Sequence, residues 1–184
     1  LVERMRAAWP DVHISIRGDS GFGAPCMYDA CERLGVTYTF GIGMNSRLKA
    51  QSAELLESVT KKFQETQKPQ REFLRTEYQA DSWPKSRLVV IKVEANAEGT
   101  NRRAVVTDRP GWYALPGAVY DAYAERGESE NRNKELKREM YGDRLSDHRF
   151  MANFFRLYLH IFATNLLVRL RRLVAEPKQT PAES

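Results

Sequence analysis

Two stretches of this chain carry residue types that could do chemistry. The first is Arg17-Gly18-Asp19-Ser20-Gly21-Phe22. It follows a run in which Val12, Ile14 and Ile16 alternate with His13, Ser15 and Arg17, the pattern of a half-buried strand. Asp19 therefore falls at the C-terminal end of a strand, where α/β sheets collect their ligands. The flanking glycines admit close approach of a backbone or a phosphate, and a carboxylate placed there suits a hard cation. A plain turn aspartate accounts for the same residues. The second stretch runs from Tyr123 to Lys137. On one α-helix at ~100° per residue, Tyr123, Arg126, Glu130 and Lys137 share an arc of about 60°. A carboxylate among cations able to hold phosphates is what metal-assisted phosphoryl chemistry needs. The competing reading is a solvated helix laced with ion pairs such as Glu130 with Lys134. Ten of the fifteen residues from Glu125 to Glu139 are charged, which gives that reading weight.

The elements that must position these residues can be read from periodicity. After Asp19, Pro25 suits the first turn of a helix running to about Leu34, and Gly35 is placed to end it. Val36, Tyr38, Phe40 and Ile42 alternate again, so strand, helix and strand form a βαβ unit with parallel strands. Ser46 is a candidate cap for a second helix, with Leu48, Leu55, Leu56, Val59 and Phe63 on one side and Lys68-Pro69 ending it. Residues 71–107 change to short strands at Phe73–Tyr78, Arg87–Val93 and Arg103–Thr107, separated by turn residues. These predict an antiparallel β insert. Pro110-Gly111 and Pro116-Gly117 are breakers. Composition predicts one helix from about Ala118 to Met140, a last helix from about Asp147 to Val174, and a disordered tail at 176–184.

The chain has 184 residues, 42% of them hydrophobic and 29% charged. Disordered, collagenous and disulfide-scaffold classes drop out on those values. The net charge of +5 leans mildly toward a polyanionic partner. Cys26 and Cys31 match no zinc or redox spacing, so a reduced cytosol is expected. The apolar run Leu157–Val168 is interrupted by His160 and Asn165. It is too short to span a bilayer and predicts a buried helix. The first residue is Leu1, which leads to the expectation that the chain is part of a longer protein.

At this point the residues resemble a family. Tyr123, Arg126, Glu130 and Lys137 fit Y-x2-R-x3-E-x6-K, the Tyr-Arg-Glu-Lys signature of bacterial insertion-sequence transposases with a DDE triad. The text around them is similar to the insertion-sequence-1380 group. R-G-D-S-G-F (17–22) resembles its second-Asp motif, E-R-G-E-S-E-N-R-N-K-E (125–135) its Glu motif, and D-R-L-S-D-H-R-F-M-A-N-F-F-R-L (143–157) the segment that follows. The resemblance covers most of residues 4–174. It implies an α/β fold, the C-terminal part of a ribonuclease-H-like core with an antiparallel β insertion before the Glu helix. The expected divisions are core at 1–66, insertion at 67–112, core again at 113–175 and tail at 176–184.

The resemblance also implies a mechanism: cut-and-paste transposition through two Mg2+ ions, with Mn2+ as a substitute, held by three carboxylates. Asp19 would be the second of these and Glu130 the third. Tyr123, Arg126, Lys137 and, inside the same motif, Arg132 would hold phosphates of the transposon end. The implied partners are double-stranded terminal-repeat and target DNA, with a homodimer on DNA and no membrane, in the bacterial cytoplasm at the nucleoid. One departure stands out. Asp11 lies at the opposite end of the strand from Asp19, roughly 20 Å or more away, and cannot share its metal. The first Asp and three strands are expected upstream of Leu1, leaving strand 12–17 as a sheet edge and the piece inactive alone. The alternatives are a stand-alone ribonuclease-H-like nuclease and a non-catalytic DNA-binding remnant. The arginines of the last helix, Arg149, Arg156, Arg169, Arg171 and Arg172, read first as solvated or snorkelling, and as phosphate contacts second. Trp83 reads as a loop packing residue, and no nucleophile-elbow pattern surrounds Ser20.

Overall fold

Alternating apolar residues in five segments build one mixed sheet. A computed structural model describes residues 1–109 and 115–175. The Pro110-Gly111 breaker and the expected disordered tail lie outside the described residues. In chain order the elements are α1 (Val2–Ala8), β1 (Ser15–Gly18), a 3-10 turn (Ser20–Phe22), α2 (Pro25–Arg33), β2 (Thr37–Ile42), α3 (Ser46–Gln51), α4 (Ala53–Thr66), β3 (Gln70–Tyr78), β4 (Arg87–Asn96), β5 (Gly99–Thr107), α5 (Pro116–Ala124), α6 (Gly127–Arg138) and α7 (Phe150–Ala175).

The strand order is β1-β2-β5-β4-β3. β1 and β2 run parallel around α2, as the βαβ reading requires. β3, β4 and β5 form antiparallel hairpins, and β5 pairs antiparallel with β2. The strands expected as an insert thus extend the same sheet. β1 is its edge strand among the described residues. Helix α2 ends on Gly35 at φ +58, a left-handed conformation that glycine adopts without steric cost.

The chain divides into two compact units, Leu1–Arg126 and Gly127–Ser184. In the first, one sheet face buries Tyr28, Tyr38, Phe40, Leu48, Val59, Val89, Ile91 and Val106 in a continuous core. Tyr28 of α2 stacks on Tyr38 of β2 at 5.4 Å between ring centroids. The other face carries a smaller cluster of Val90, Val105, Val119 and Tyr120, with Phe73 and Tyr123 packed against it. Helix α5 supplies Val119, Tyr120 and Tyr123 and so lies against that face.

Four local expectations are corrected. The helix expected after Ser46 breaks at Ser52. That residue is buried and its hydroxyl donates to the Leu48 carbonyl at 2.8 Å, a local bond that competes with a straight helix. Asn45, not Ser46, caps α3 by accepting from the Leu48 amide. The helix expected over 118–140 is two helices, because the chain closes a tighter turn at Arg126, whose amide donates to the Tyr123 carbonyl at 2.9 Å. Gly127, a poor helix former, follows directly. Finally, α7 is no buried helix: none of its residues is buried. Its apolar side chains point in every direction, and its own unit supplies only α6 to cover them among the described residues. No helix is long and apolar enough to cross a membrane among the described residues.

Candidate active site

Asp19 ends β1 and caps the 3-10 turn, its Oδ1 accepting from the Gly21 amide at 2.9 Å. The side chain is exposed. Three glycines let this turn fold down onto β2. A Cβ on Gly18 would meet the Phe22 ring at 2.9 Å, and one on Gly23 would meet the Gly41 carbonyl at 2.7 Å. A Cβ on Gly41 would strike the Tyr123 hydroxyl at 2.8 Å, the Ser20 nitrogen at 3.2 Å and the Asp19 carbonyl carbon at 3.4 Å. The missing side chain at Gly41 is therefore the space in which Tyr123 and the Asp19–Ser20 peptide converge.

Arg17 pins the end of α5 to this corner. Its guanidinium donates to the Ala122 carbonyl and to Glu125, the latter at 2.8 Å. Both Arg17 and Glu125 are solvent-exposed, so the pair positions more than it stabilises. Arg126 lies 5.8 Å from the centre of the Tyr123 ring, within cation–π range. Asp19, Tyr123 and Arg126 are thereby gathered at one end of the sheet unit.

Glu130, Arg132 and Lys137 belong to α6 in the second unit. The single helical stripe expected from Tyr123 to Lys137 is interrupted at Glu125 and Arg126. Tyr123 closes α5, and only Glu130 and Lys137 keep their two-turn relation on one helix face. Both are exposed. Arg132 forms ion pairs with Glu128 and with Glu135, the latter at 2.9 Å. Glu135 also accepts from Arg171 of α7 at 3.1 Å. The hydrogen bond from Arg132 and the nearby Arg171 charge hold the Glu135 carboxyl below its ordinary range.

Hard carboxylate oxygens are the right donors for a divalent cation such as Mg2+. Asp19 supplies one exposed carboxylate on the sheet unit and Glu130 one on α6. Among the described residues no group of three or more His, Cys, Asp or Glu side chains is placed to hold a metal. The donors fit in kind, and the described residues do not complete the set.

A separate cleft of about 400 Å3 opens where β4 begins and β5 ends, lined among others by Glu32, Tyr38, Lys85, Arg87 and Asp108. Arg87 is buried there, bonded to Asp29 at 2.9 Å and Glu32 at 3.2 Å, over the rings of Tyr28 and Trp83. Burial pushes the Glu32 carboxyl up, but its hydrogen bond to Lys85 and the Arg87 charge outweigh that and leave it below its ordinary range. Trp83 is buried edge-on to Tyr28 and Tyr78, the packing role expected of it.

The sequence alone assigns no role to Arg17, Gly41 or Glu125. The available signal was the lone glycine within β2, since glycine inside a strand marks a close approach of another group.

A mixed α/β domain with an exposed carboxylate at a strand end, beside an aromatic hydroxyl and a guanidinium, has the makings of a phosphoryl-transfer nuclease. The family of transposase DDE domains, group 1, matches residues 1–183, and the chain belongs to that family. Its members are nuclease-type enzymes of DNA transposition, a class that works with divalent metals on DNA. No curated protein matches the chain.

Proposed function

We propose that the chain is the C-terminal part of a cut-and-paste insertion-sequence transposase of the insertion-sequence-1380 group, built on a ribonuclease-H-like core. Asp19 and Glu130 act as the second and third metal-binding carboxylates, and the first Asp belongs to sequence outside the 184 residues. Two bound Mg2+ ions would supply an activated water or 3′-hydroxyl and charge stabilisation of the leaving oxygen. The protein's own part is to orient and to hold. The glycine-lined turn fixes Asp19 against β2. Tyr123 closes the corner over the Asp19–Ser20 peptide. Arg126, Arg132 and Lys137 engage phosphates of the transposon end, arginine through a bidentate fork and lysine as a point charge. The complete enzyme works as a homodimer on terminal-repeat and target DNA at the bacterial nucleoid.

The observation that carries this reading is the meeting at Gly41. The hydroxyl of Tyr123, the first residue of the Tyr-Arg-Glu-Lys signature, and the peptide that follows Asp19 both border the open side of Gly41, although the sequence separates the two by the whole β3–β5 region. The test is strand cleavage by the complete transposase on terminal-repeat DNA with Mg2+. Asp19→Asn and Glu130→Gln are each expected to lower cleavage at least about a hundredfold, with DNA affinity held within a few-fold. Unchanged cleavage in either variant removes that residue from the site.

A further inference from the structure

Register places a second basic feature on the sheet face that carries the Asp19 corner. Gly41 of β2 is paired with Val105 of β5, and two residues along the same face Arg103 is paired directly with Lys92 of β4. Cross-strand partners share a face, so Arg103 and Lys92 stand on the side of the sheet that α5 and Tyr123 occupy. Counted across two strand spacings and three residues, Arg103 lies roughly 14 Å from the end of β1. That is about four base steps of duplex DNA.

Two like charges directly opposite on neighbouring strands disfavour the pairing, and the one carboxylate beside them, Glu94, is shared by both. Lys92 is bonded to Glu94 at 2.7 Å and lies 5.0 Å over the Tyr120 ring. Glu94 also accepts from Asn101 at 2.9 Å. Arg103 is exposed, reaches the Tyr120 hydroxyl, and lies near enough to Glu94 for its charge to help hold that carboxyl below its ordinary range. Two cations share the single carboxylate of Glu94, so the pair keeps a net positive charge, and Arg103 presents it to solvent. A guanidinium held in this way on a β-ribbon suits the planar, bidentate recognition of a phosphodiester.

We propose that Arg103, set beside Lys92, is a contact for the DNA backbone a few nucleotides from the reacting phosphate, so that the β4–β5 hairpin forms part of the DNA track. This rests on the reading of the Asp19 corner as the reacting end, and it adds a region that the Tyr-Arg-Glu-Lys residues do not include.

The experiment is fluorescence-anisotropy titration of the 184-residue chain with a short labelled DNA duplex, repeated between about 50 and 200 mM salt. Arg103→Gln is expected to weaken binding several-fold and to lower the slope of log affinity against log salt by about one. Arg103→Lys should keep the slope while losing part of the affinity. Lys61→Gln, a charge change of equal size on α4, should do neither. An Arg103→Gln chain with the far-ultraviolet spectrum of the parent and unaltered affinity and slope overturns the proposal, as does an equal loss in Lys61→Gln. Loss of cleavage in Asp19→Asn beside full binding by Arg103→Gln would leave the active-site reading standing and remove only this one. A parent chain that binds no DNA contradicts both.

Discussion

The two units of this chain hold their chemistry in different ways. In the sheet unit, Tyr28, Phe40, Val59 and Ile91 are wholly excluded from solvent, and Asp19 and Tyr123 project from elements clamped to that core. Their positions are fixed by packing that tolerates little rearrangement. In the helical unit no residue of α6 or α7 is buried, and Phe150, Phe155 and Phe162 expose 66–76% of their surface. Glu130 lies exposed on α6, a helix whose Arg132 and Glu135 join Arg171 of α7 in a surface lattice of ion pairs, each worth little alone. One acid sits on a rigid support and the other on a helix with no buried residue, in a unit that supplies only α7 beside it among the described residues.

Substitutions break or sharpen that contrast in a definite order. The largest effect is expected in the sheet core. Phe40→Ala should cost about 3–5 kcal/mol in urea denaturation, whereas Phe162→Ala on α7 should stay within about 0.5 kcal/mol. Next comes the corner itself. Gly41→Ala drives a methyl into the Tyr123 hydroxyl and should cost about 1–3 kcal/mol. Because the nearest clash is with that hydroxyl, Gly41→Ala in a Tyr123→Phe background should recover part of the loss, and a double-mutant cycle should read a coupling near 1 kcal/mol. Gly127→Ala, where an added methyl meets nothing within 4 Å, should lengthen the helical segment and add about 0.5–1 kcal/mol, visible as increased far-ultraviolet ellipticity.

The smallest effect is a pH dependence confined to the sheet unit. The Glu32 carboxyl lies below its ordinary value of 4.5 when folded, so its contribution is complete above that value and is lost as pH falls through the lower folded one. Denaturation midpoints measured from neutral pH down into that acidic range should therefore fall less steeply in Glu32→Gln than in the parent. A parallel fall in both proteins would remove Glu32 as the source.

The same contrast governs how much the sequence made legible. The alternation of Ile14 and Ile16, and of Tyr38 and Phe40, announces parallel strands because one sheet face must be apolar, and it places Asp19 at a strand end. The hairpins of 70–107 announce themselves by β-branched runs and turn residues. Their addition to the edge of β2 does not, because it depends on pairings distant in sequence. The break at Glu125–Arg126 was hidden by a run of good helix formers, with Gly127 the only local signal against continuity. Ser52 concealed a second break in the same way, since its hydroxyl acts through a bond visible only once the helix turns. The apolar composition of α7 says that its surface favours burial, but burial needs a partner, and periodicity cannot supply one. Tyr123 and Glu130 were legible as a spacing. What joins Tyr123 to Asp19 is a strand glycine whose purpose appears only in three dimensions.

Under the proposed function, Asp19 and Glu130 serve one metal centre. The most direct measurement adds Mn2+ to the isotopically labelled chain and follows paramagnetic broadening of backbone amide resonances. Broadening is expected at Gly18–Gly21 and around Glu130 with a single apparent affinity, together with its loss around Glu130 when Asp19 is replaced by Asn. Broadening around Glu130 that persists unchanged in Asp19→Asn, or that never reaches the Asp19 turn, would contradict it.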